Sequence, residues 1–283
     1  MAMMDQQQAD QLRKIFTGLK HEVKIIYFTQ QENCPHCRIG EEVIGLLPPL
    51  SDKIKVEVHD VGKEPDAAKP YGVYMFPAIV IEGDRDYGIR FFGIPGGHEF
   101  TAFIQSIIYV SLRDPQLAPK VLAELKKIDQ PVHLQVMTSL DCPYCPFMVK
   151  SAHRLAMANP NIRADMIDTA EFPVLAATYN VTGVPDTVIN DHHRVVGALP
   201  ELELVYFIQE ALGLPLTDEG RAAVDLVRLQ IAGAQHQREH THEHEHGHAY
   251  RYEHAPAPPR PAAAAAPKDA PPAAKKAARK KQG

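Results

Sequence analysis

The sequence predicts an α/β protein in which two copies of one unit follow each other, each a mixed central sheet flanked by helices. The four cysteines form two Cys-x-x-Cys pairs, Cys34/Cys37 and Cys142/Cys145. Each cysteine of the first pair lies 108 residues before its counterpart in the second (142 − 34). Each pair stands between an apolar run typical of a strand and a helical pattern. The same offset relates five further matches: Ile54 and Ile162, Asp60 and Asp168, Tyr71 and Tyr179, Val73 and Val181, and Pro77 and Pro185. So many matches at one spacing indicate a duplication.

The elements of the first copy follow from apolar periodicity. Pro48 and Pro49 end the helix after the first cysteine pair, and Gly83-Asp84 marks a hairpin turn. In chain order we expect an opening helix (10–19), a strand (23–29), a helix with the apolar stripe Ile39, Val43, Ile44 and Leu47, a half-buried strand (54–58), a short helix (66–69), two hairpin strands (78–81 and 89–92) and a closing helix (100–108).

The second copy repeats this order. We expect a connecting helix (115–128), a strand (134–137), a helix (147–158), a strand (162–166), a short helix (171–179), two hairpin strands (186–190 and 195–196) and a closing helix (202–212). The order β-α-β-α-β-β-α around a helix that follows a cysteine pair is that of the thioredoxin fold. The predicted domains are therefore 1–114 and 115–215, followed by an extra amphipathic helix (216–235) and a disordered tail (236–283).

Length and composition limit the classes of protein to consider. The chain has 283 residues, enough for two domains of about 100–150 residues each. No run approaches the roughly 18 apolar residues of a membrane span, and residues 1–14 contain no apolar signal core. We therefore expect a cytoplasmic protein without a membrane partner. In a reducing compartment, Cys-x-x-Cys pairs are catalytic or metal-binding far more often than structural.

The chain resembles the two-unit protein disulfide oxidoreductases, also called glutaredoxin-like domain proteins, known mainly from thermophilic archaea and bacteria. The resemblance rests on the segment from Cys142 to Pro146 running into Ala152-His153, on residues 90–100 (RFFGIPGGHEF), and on the tandem spacing. It covers roughly residues 10–213. It implies dithiol–disulfide exchange and isomerisation on protein substrates, with no cofactor besides the redox-active disulfides. It also implies re-reduction by an NADPH-dependent, thioredoxin reductase-like flavoprotein.

Cys34 and Cys142 are the expected attacking thiols, because each is the first member of its pair and nearest the positive end of a helix. Cys37 and Cys145 are expected to resolve the mixed disulfide.

The dipeptides between the cysteines should tune the thiolates. Pro35-His36 resembles the dipeptide of strongly oxidising periplasmic oxidases, and Pro143-Tyr144 resembles that of glutaredoxins, so we expect the first site to be the more oxidising. Pro143 also suits the first helical position. The alternative is that His36 faces solvent and has little effect.

Pro77 and Pro185 precede strands at equal distances from their cysteines. In thioredoxin folds this proline is cis and faces the thiols, and the residue before it, here Phe76 or Val184, contacts the substrate backbone. The alternative is an ordinary trans turn proline. Asp186 departs from the usual pattern, since a carboxylate near Cys142 would disfavour its thiolate unless it points to solvent.

The tail carries two further signals. Residues 240–248 alternate histidines with other residues, which is typical of a weak Zn²⁺, Ni²⁺ or Cu²⁺ site outside the fold; its ligands would be His240, His242, His244, His246 and His248. Residues 255–283 carry seven basic residues and one acidic residue. A solubilising extension is favoured there over contact with nucleic acid or an acidic partner.

Two alternatives to a general oxidoreductase remain open. One is an electron relay between a flavin disulfide reductase and a peroxidase, as in tandem thioredoxin folds fused to flavoproteins, although one site there has lost its cysteines. The other is a zinc module; structural zinc sites usually pair two Cys-x-x-Cys units 15–20 residues apart, and here the separation is 108.

Overall fold

The computed structural model describes residues 4–32 and 34–242, with side chains up to residue 232. The N-terminal repeat comprises α1 (Gln6–Phe16), β1 (Val23–Thr29), α2 (Cys37–Gly45), β2 (Ile54–Asp60), β3 (Ala78–Glu82), β4 (Asp86–Phe92) and α3 (Glu99–Leu112). The C-terminal repeat comprises α4 (Pro119–Leu125), β5 (Val132–Thr138), α5 (Cys145–Ala158), β6 (Ile162–Asp168), α6 (Pro173–Thr178), β7 (Asp186–Ile189), β8 (His193–Val196) and α7 (Glu201–Ala211). A last helix, α8, spans Asp218–His242. The short helix expected over 66–69 is a single 3-10 turn, Lys69–Tyr71.

The strand pairing confirms the duplication. In the N-terminal repeat β1 runs parallel to β2, with Val23 opposite Ile54. In the C-terminal repeat β5 runs parallel to β6, with Val132 opposite Ile162. Each first strand also pairs with an antiparallel hairpin, β3–β4 or β7–β8. The two repeats therefore share one topology, that of the thioredoxin fold.

The two sheets join into one. The strand order is β2-β1-β3-β4-β6-β5-β7-β8, and the junction is a parallel pairing of β4 with β6, from Ile89 opposite Ala164 to Phe92 opposite Ile167. Gly88 has a φ of +76° there, and a Cβ on it would lie 2.8 Å from the carbonyl oxygen of Ile162. Glycine is needed because the two backbones approach so closely. The described residues up to 237 accordingly form one compact body.

A buried carboxylate ties the junction together. Asp165 on β6 accepts hydrogen bonds from His133 Nε2 at 2.6 Å and from Nε and Nη2 of Arg163 at 2.8 Å each. Arg163 Nη1 donates to the carbonyl oxygen of Gly72 in the other repeat at 3.0 Å. Burial favours the protonated acid, but His133 and Arg163 outweigh it and lower the pKa of Asp165 to about 2.

Asp165→Asn should lower the free energy of unfolding by about 3–5 kcal/mol, because the Arg163 guanidinium would face a buried neutral group. The contribution of the carboxylate is present above about pH 4, the ordinary aspartate pKa, and is lost as the pH falls toward 2. Urea unfolding at pH 7 measures the loss. Asp10→Asn, which breaks an exposed pair with Arg13 on α1, is the control and should cost under about 1 kcal/mol. Equal losses in the two variants would contradict this assignment.

Two helix residues are not placed as an amphipathic helical pattern would suggest. Ile39 is exposed rather than part of the buried stripe of α2; Gly40 faces the core, where a Cβ would overlap with the hydroxyl of Tyr27. His153 on α5 is buried rather than directed to solvent; it stacks edge-on against Phe91 at 4.8 Å, and burial lowers its pKa to about 4.

Helix α8 packs Val224 and Val227 into the core and pairs Arg228 with Glu210 of α7. It continues past the predicted end at 235 to His242, into the stretch expected to be disordered. The remaining tail, including His244, His246 and His248, lies outside the described residues. Within the described part of the chain, no helix is long and apolar enough to cross a membrane.

Candidate functional site

Both cysteine pairs lie at the same edge of the sheet. β1 is antiparallel to β3, β3 is antiparallel to β4, β4 is parallel to β6, and β6 is parallel to β5. β1 and β5 therefore run in the same direction, and each cysteine pair follows its carboxyl end. Four strand-to-strand steps of about 4.8 Å place the two sites roughly 20 Å apart.

Each pair is closed as a disulfide, Cys34–Cys37 and Cys142–Cys145. Cys37 and Cys145 are buried, Cys34 is half-buried, and Cys142 is buried but retains 8% exposure. This is the arrangement expected of an attacking and a resolving cysteine.

The helices begin at the second cysteine rather than before it. Tyr144 is the N-cap of α5, so Pro143 precedes the helix and Pro146 occupies its first turn. The residues before the helix form a turn, in which the Cys142 N–H donates a hydrogen bond to the carbonyl oxygen of Ser139 at 3.0 Å. The first free N–H of α5, that of Cys145, points at Cys142 Sγ at 3.0 Å. A helix N–H directed at that sulfur will favour the thiolate once the disulfide is reduced.

The two prolines have the expected geometry. The Phe76–Pro77 and Val184–Pro185 bonds are both cis, with the prolines buried and the preceding side chains partly buried. Cys142 Sγ lies 3.6 Å from the carbonyl oxygen of Val184. The backbone before the proline is therefore beside the first sulfur of the second site.

The tuning dipeptides have different surroundings. Tyr144 in the second site is 66% exposed, and Pro35 in the first site is exposed. His36 is exposed as well, but it has a partner. Its Nδ1 lies 2.7 Å from Oε2 of Glu171, which belongs to the C-terminal repeat.

Asp186 does not point to solvent, which was one of the two arrangements considered for it. It is fully buried rather than directed to solvent, and it forms a salt bridge with Arg194 on the adjacent strand β8. The Arg194 guanidinium also donates from Nε to Asp186 Oδ1 at 3.3 Å. Because the positive charge offsets the carboxylate, Asp186 does not stand as an uncompensated charge against a Cys142 thiolate.

Glu99, which sequence reasoning missed, is a buried carboxyl group beside the second site. Among the described residues, neither carboxylate oxygen has a hydrogen-bond partner, and burial, reinforced by Asp168, raises the pKa of Glu99 to about 8. It begins α3, and the preceding His98 donates its N–H to the carbonyl oxygen of Leu140, two residues before Cys142. In the sequence it looks like an ordinary acidic residue in a first helical turn, so no signal marked it.

Tyr27 is a second missed residue, at the first site. Its hydroxyl donates to the carbonyl oxygen of Cys37 at 2.6 Å, and burial raises the pKa of Tyr27. It fixes the first turn of α2 under the resolving cysteine. Among the described residues, no group of three or more His, Cys, Asp or Glu side chains is arranged to hold a metal ion.

Comparisons with known proteins agree with this geometry. Residues 132–210 match the thioredoxin domain family. The chain is 33% identical over 148 residues to an NADH dehydrogenase of Bacillus subtilis, covering 52% of this chain but only 27% of that protein. The chain thus spans under a third of the length of the first curated relatives it matches.

Two solved structures align with this protein over nearly the whole of their own chains. One is the N-terminal NTD_N/C domain of the alkylhydroperoxide reductase AhpF from Enterococcus faecalis, with TM-score 0.67 and 25% identity, over 74% of this chain and 99% of that one. The other is a protein disulfide oxidoreductase from Aeropyrum pernix, with TM-score 0.69 and 25% identity, over 75% and 96%. Both align with roughly three quarters of this chain.

Proposed function

We propose that this tandem thioredoxin-like protein, with its two Cys-x-x-Cys disulfides, is a cytoplasmic dithiol–disulfide oxidoreductase acting on protein substrates. The observation that carries the proposal is the second site. There Cys142 Sγ meets a helix N–H on one side and the carbonyl oxygen of Val184, before a cis proline, on the other. An extended substrate can pair with that backbone while its sulfur approaches Cys142.

The exchange itself needs no further cofactor. In the reducing direction, the Cys142 thiolate attacks one sulfur of a client disulfide, forms a mixed disulfide and releases the other client sulfur as a thiolate. Cys145, as its thiolate, then attacks Cys142 Sγ, closes the protein disulfide and frees the second client thiol. Two electrons pass from the protein dithiol to the client, and the reverse sequence oxidises a client. Cys34 and Cys37 play the same parts at the first site.

A separate protein must return electrons to the disulfides. We assign this role to an NADPH-dependent, thioredoxin reductase-like flavoprotein. Because a disulfide requires Cα atoms within about 7 Å, two sites roughly 20 Å apart cannot exchange directly in this structure. Each pair therefore meets the reductase or the client separately.

A second candidate is an electron relay to a peroxidase. The likeness to the N-terminal domain of an alkylhydroperoxide reductase subunit favours it. The presence of two intact cysteine pairs favours the broader role, because a one-way relay needs only one working pair.

Trapping of mixed disulfides distinguishes the candidates. Variants Cys37→Ser and Cys145→Ser lack the resolving sulfur and should retain clients on Cys34 and Cys142 as disulfides that a reductant releases. The matched controls, Cys34→Ser and Cys142→Ser, should retain none. A varied set of client proteins supports the oxidoreductase, and a peroxidase as the sole client supports the relay. Equal retention by traps and controls would overturn both.

A further inference from the structure

A salt bridge between the repeats reaches the middle of the first site. His36 lies between Cys34 and Cys37, and its Nδ1 is 2.7 Å from Oε2 of Glu171, 135 positions further along the chain. The imidazole is 47% exposed, but the carboxylate is only 13% exposed. A carboxylate so well shielded from water acts on nearby charges more strongly than one in an exposed pair.

The N-terminal repeat holds Glu171 in place. Gly93, just after β4, has a φ of +101°, and a Cβ on it would lie 2.9 Å from Asp168 Cβ and 3.2 Å from Glu171 Cγ. Phe172 packs edge-on against Phe92, with ring centroids 6.4 Å apart. The position of Glu171 is therefore set by packing on both sides, and not only by its bond to His36.

Among the described residues, the second site has no counterpart of this salt bridge. Gly197 is the counterpart of Gly93 and has the same backbone conformation, with φ of +103°, but nothing lies within 4 Å of a Cβ built on it. Tyr144, the counterpart of His36, is 66% exposed. The two repeats are equivalent in topology, but among the described residues His36 bonds to a side chain of the other repeat and Tyr144 does not.

We propose that Glu171 is a positioning residue of the first site, which acts through His36 to make the Cys34–Cys37 pair less oxidising. The inference rests on the function proposed above. A positively charged or hydrogen-bond-donating imidazole beside Cys34 would stabilise its thiolate and so favour the reduced form. Glu171 accepts a hydrogen bond from Nδ1 of that imidazole, so this donor is taken by the carboxylate rather than by the Cys34 thiolate. The first site is thus a composite of both repeats.

The test is the reduction potential of each pair in the full chain, measured by alkylation of free thiols and mass spectrometry after equilibration with glutathione. Glu171→Gln should shift the equilibrium of Cys34–Cys37 toward the dithiol about tenfold, which corresponds to about 30 mV. Cys142–Cys145 in the same molecules should not move, which also shows that the variant is folded. Glu64→Gln is the matched control, since Glu64 bonds to His59 Nδ1 at 2.6 Å in the same repeat.

A second variant separates positioning from general electrostatics. In a His36→Asn background, Glu171→Gln should change the equilibrium constant for reduction of Cys34–Cys37 less than twofold, because the group through which Glu171 acts is gone. Any of three results for Glu171→Gln would overturn the inference. The first is a change under twofold in the equilibrium constant of Cys34–Cys37 in the otherwise unaltered protein. The others are an equal shift of Cys142–Cys145, or a tenfold shift of Cys34–Cys37 in the His36→Asn background. The potentials are measured without any client, so a failure of the proposed function would not produce these results.

Discussion

Replacing Cys145 with serine is expected to lower the turnover of protein disulfides at the second site by about a thousandfold or more. Cys145 is buried against Cys142, and its attack on the mixed disulfide is intramolecular, with the high effective concentration of a well-oriented group. Without it, release of the client requires a thiol from solution. Turnover is measured as the reduction of a disulfide-bonded protein by NADPH and a thioredoxin reductase.

The measurement must be made in a chain whose first pair is replaced by Cys34→Ser and Cys37→Ser, so that only the second site acts. In that background Cys145→Ser should accumulate a one-to-one mixed disulfide with the client, and Cys142→Ser should form none. Turnover by Cys145→Ser within tenfold of its parent would show that this cysteine does not resolve the intermediate.

The second large effect concerns stability. Glu99→Gln should raise the free energy of unfolding at pH 8 by about 3 kcal/mol. A pKa raised from 4.5 to about 8 corresponds to up to about 5 kcal/mol, and a buried amide without a partner retains part of that cost. The folded-state pKa lies above the unfolded one, so the carboxyl group lowers stability progressively as the pH rises from about 4.5 to 8.

Urea unfolding of the two proteins at pH 4 and at pH 8 tests this directly. The curves should differ little at pH 4, where the carboxyl group is protonated in both states, and should separate at pH 8. Glu42→Gln removes an exposed carboxylate paired with Arg38 on α2 and serves as the control, with an expected change under about 0.5 kcal/mol. The assignment would be contradicted if the difference in free energy of unfolding between Glu99→Gln and its parent were the same at pH 4 and pH 8.

The repeated fold could be predicted because its signals are local and occur twice. Strand alternation, cysteine spacing and the proline before each hairpin belong to short stretches, and the offset of 108 shows that both copies satisfy them. The cis geometry at Pro77 and Pro185 followed from the fold that this order implies, and the structure confirms it.

The features that could not be predicted are contacts between distant segments. An apolar strand such as β4 looks the same whether it ends a sheet or continues into a second one, so its pairing with β6 left no trace in the pattern. The buried positions of His153 and Asp186 depend on Phe91 and Arg194, which a helical or strand periodicity does not identify. The same holds for Glu171, whose partner lies in the other repeat.

The central claim is that both cysteine pairs are reversible two-electron couples, and one titration tests it most directly. The full chain is equilibrated across a series of glutathione redox buffers, its free thiols are alkylated, and the labelled cysteines are identified by mass spectrometry. We predict two complete and reversible transitions, in which Cys34 appears with Cys37 and Cys142 appears with Cys145. A pair that stays oxidised, fails to close again, or exchanges partners with the other pair would contradict the account.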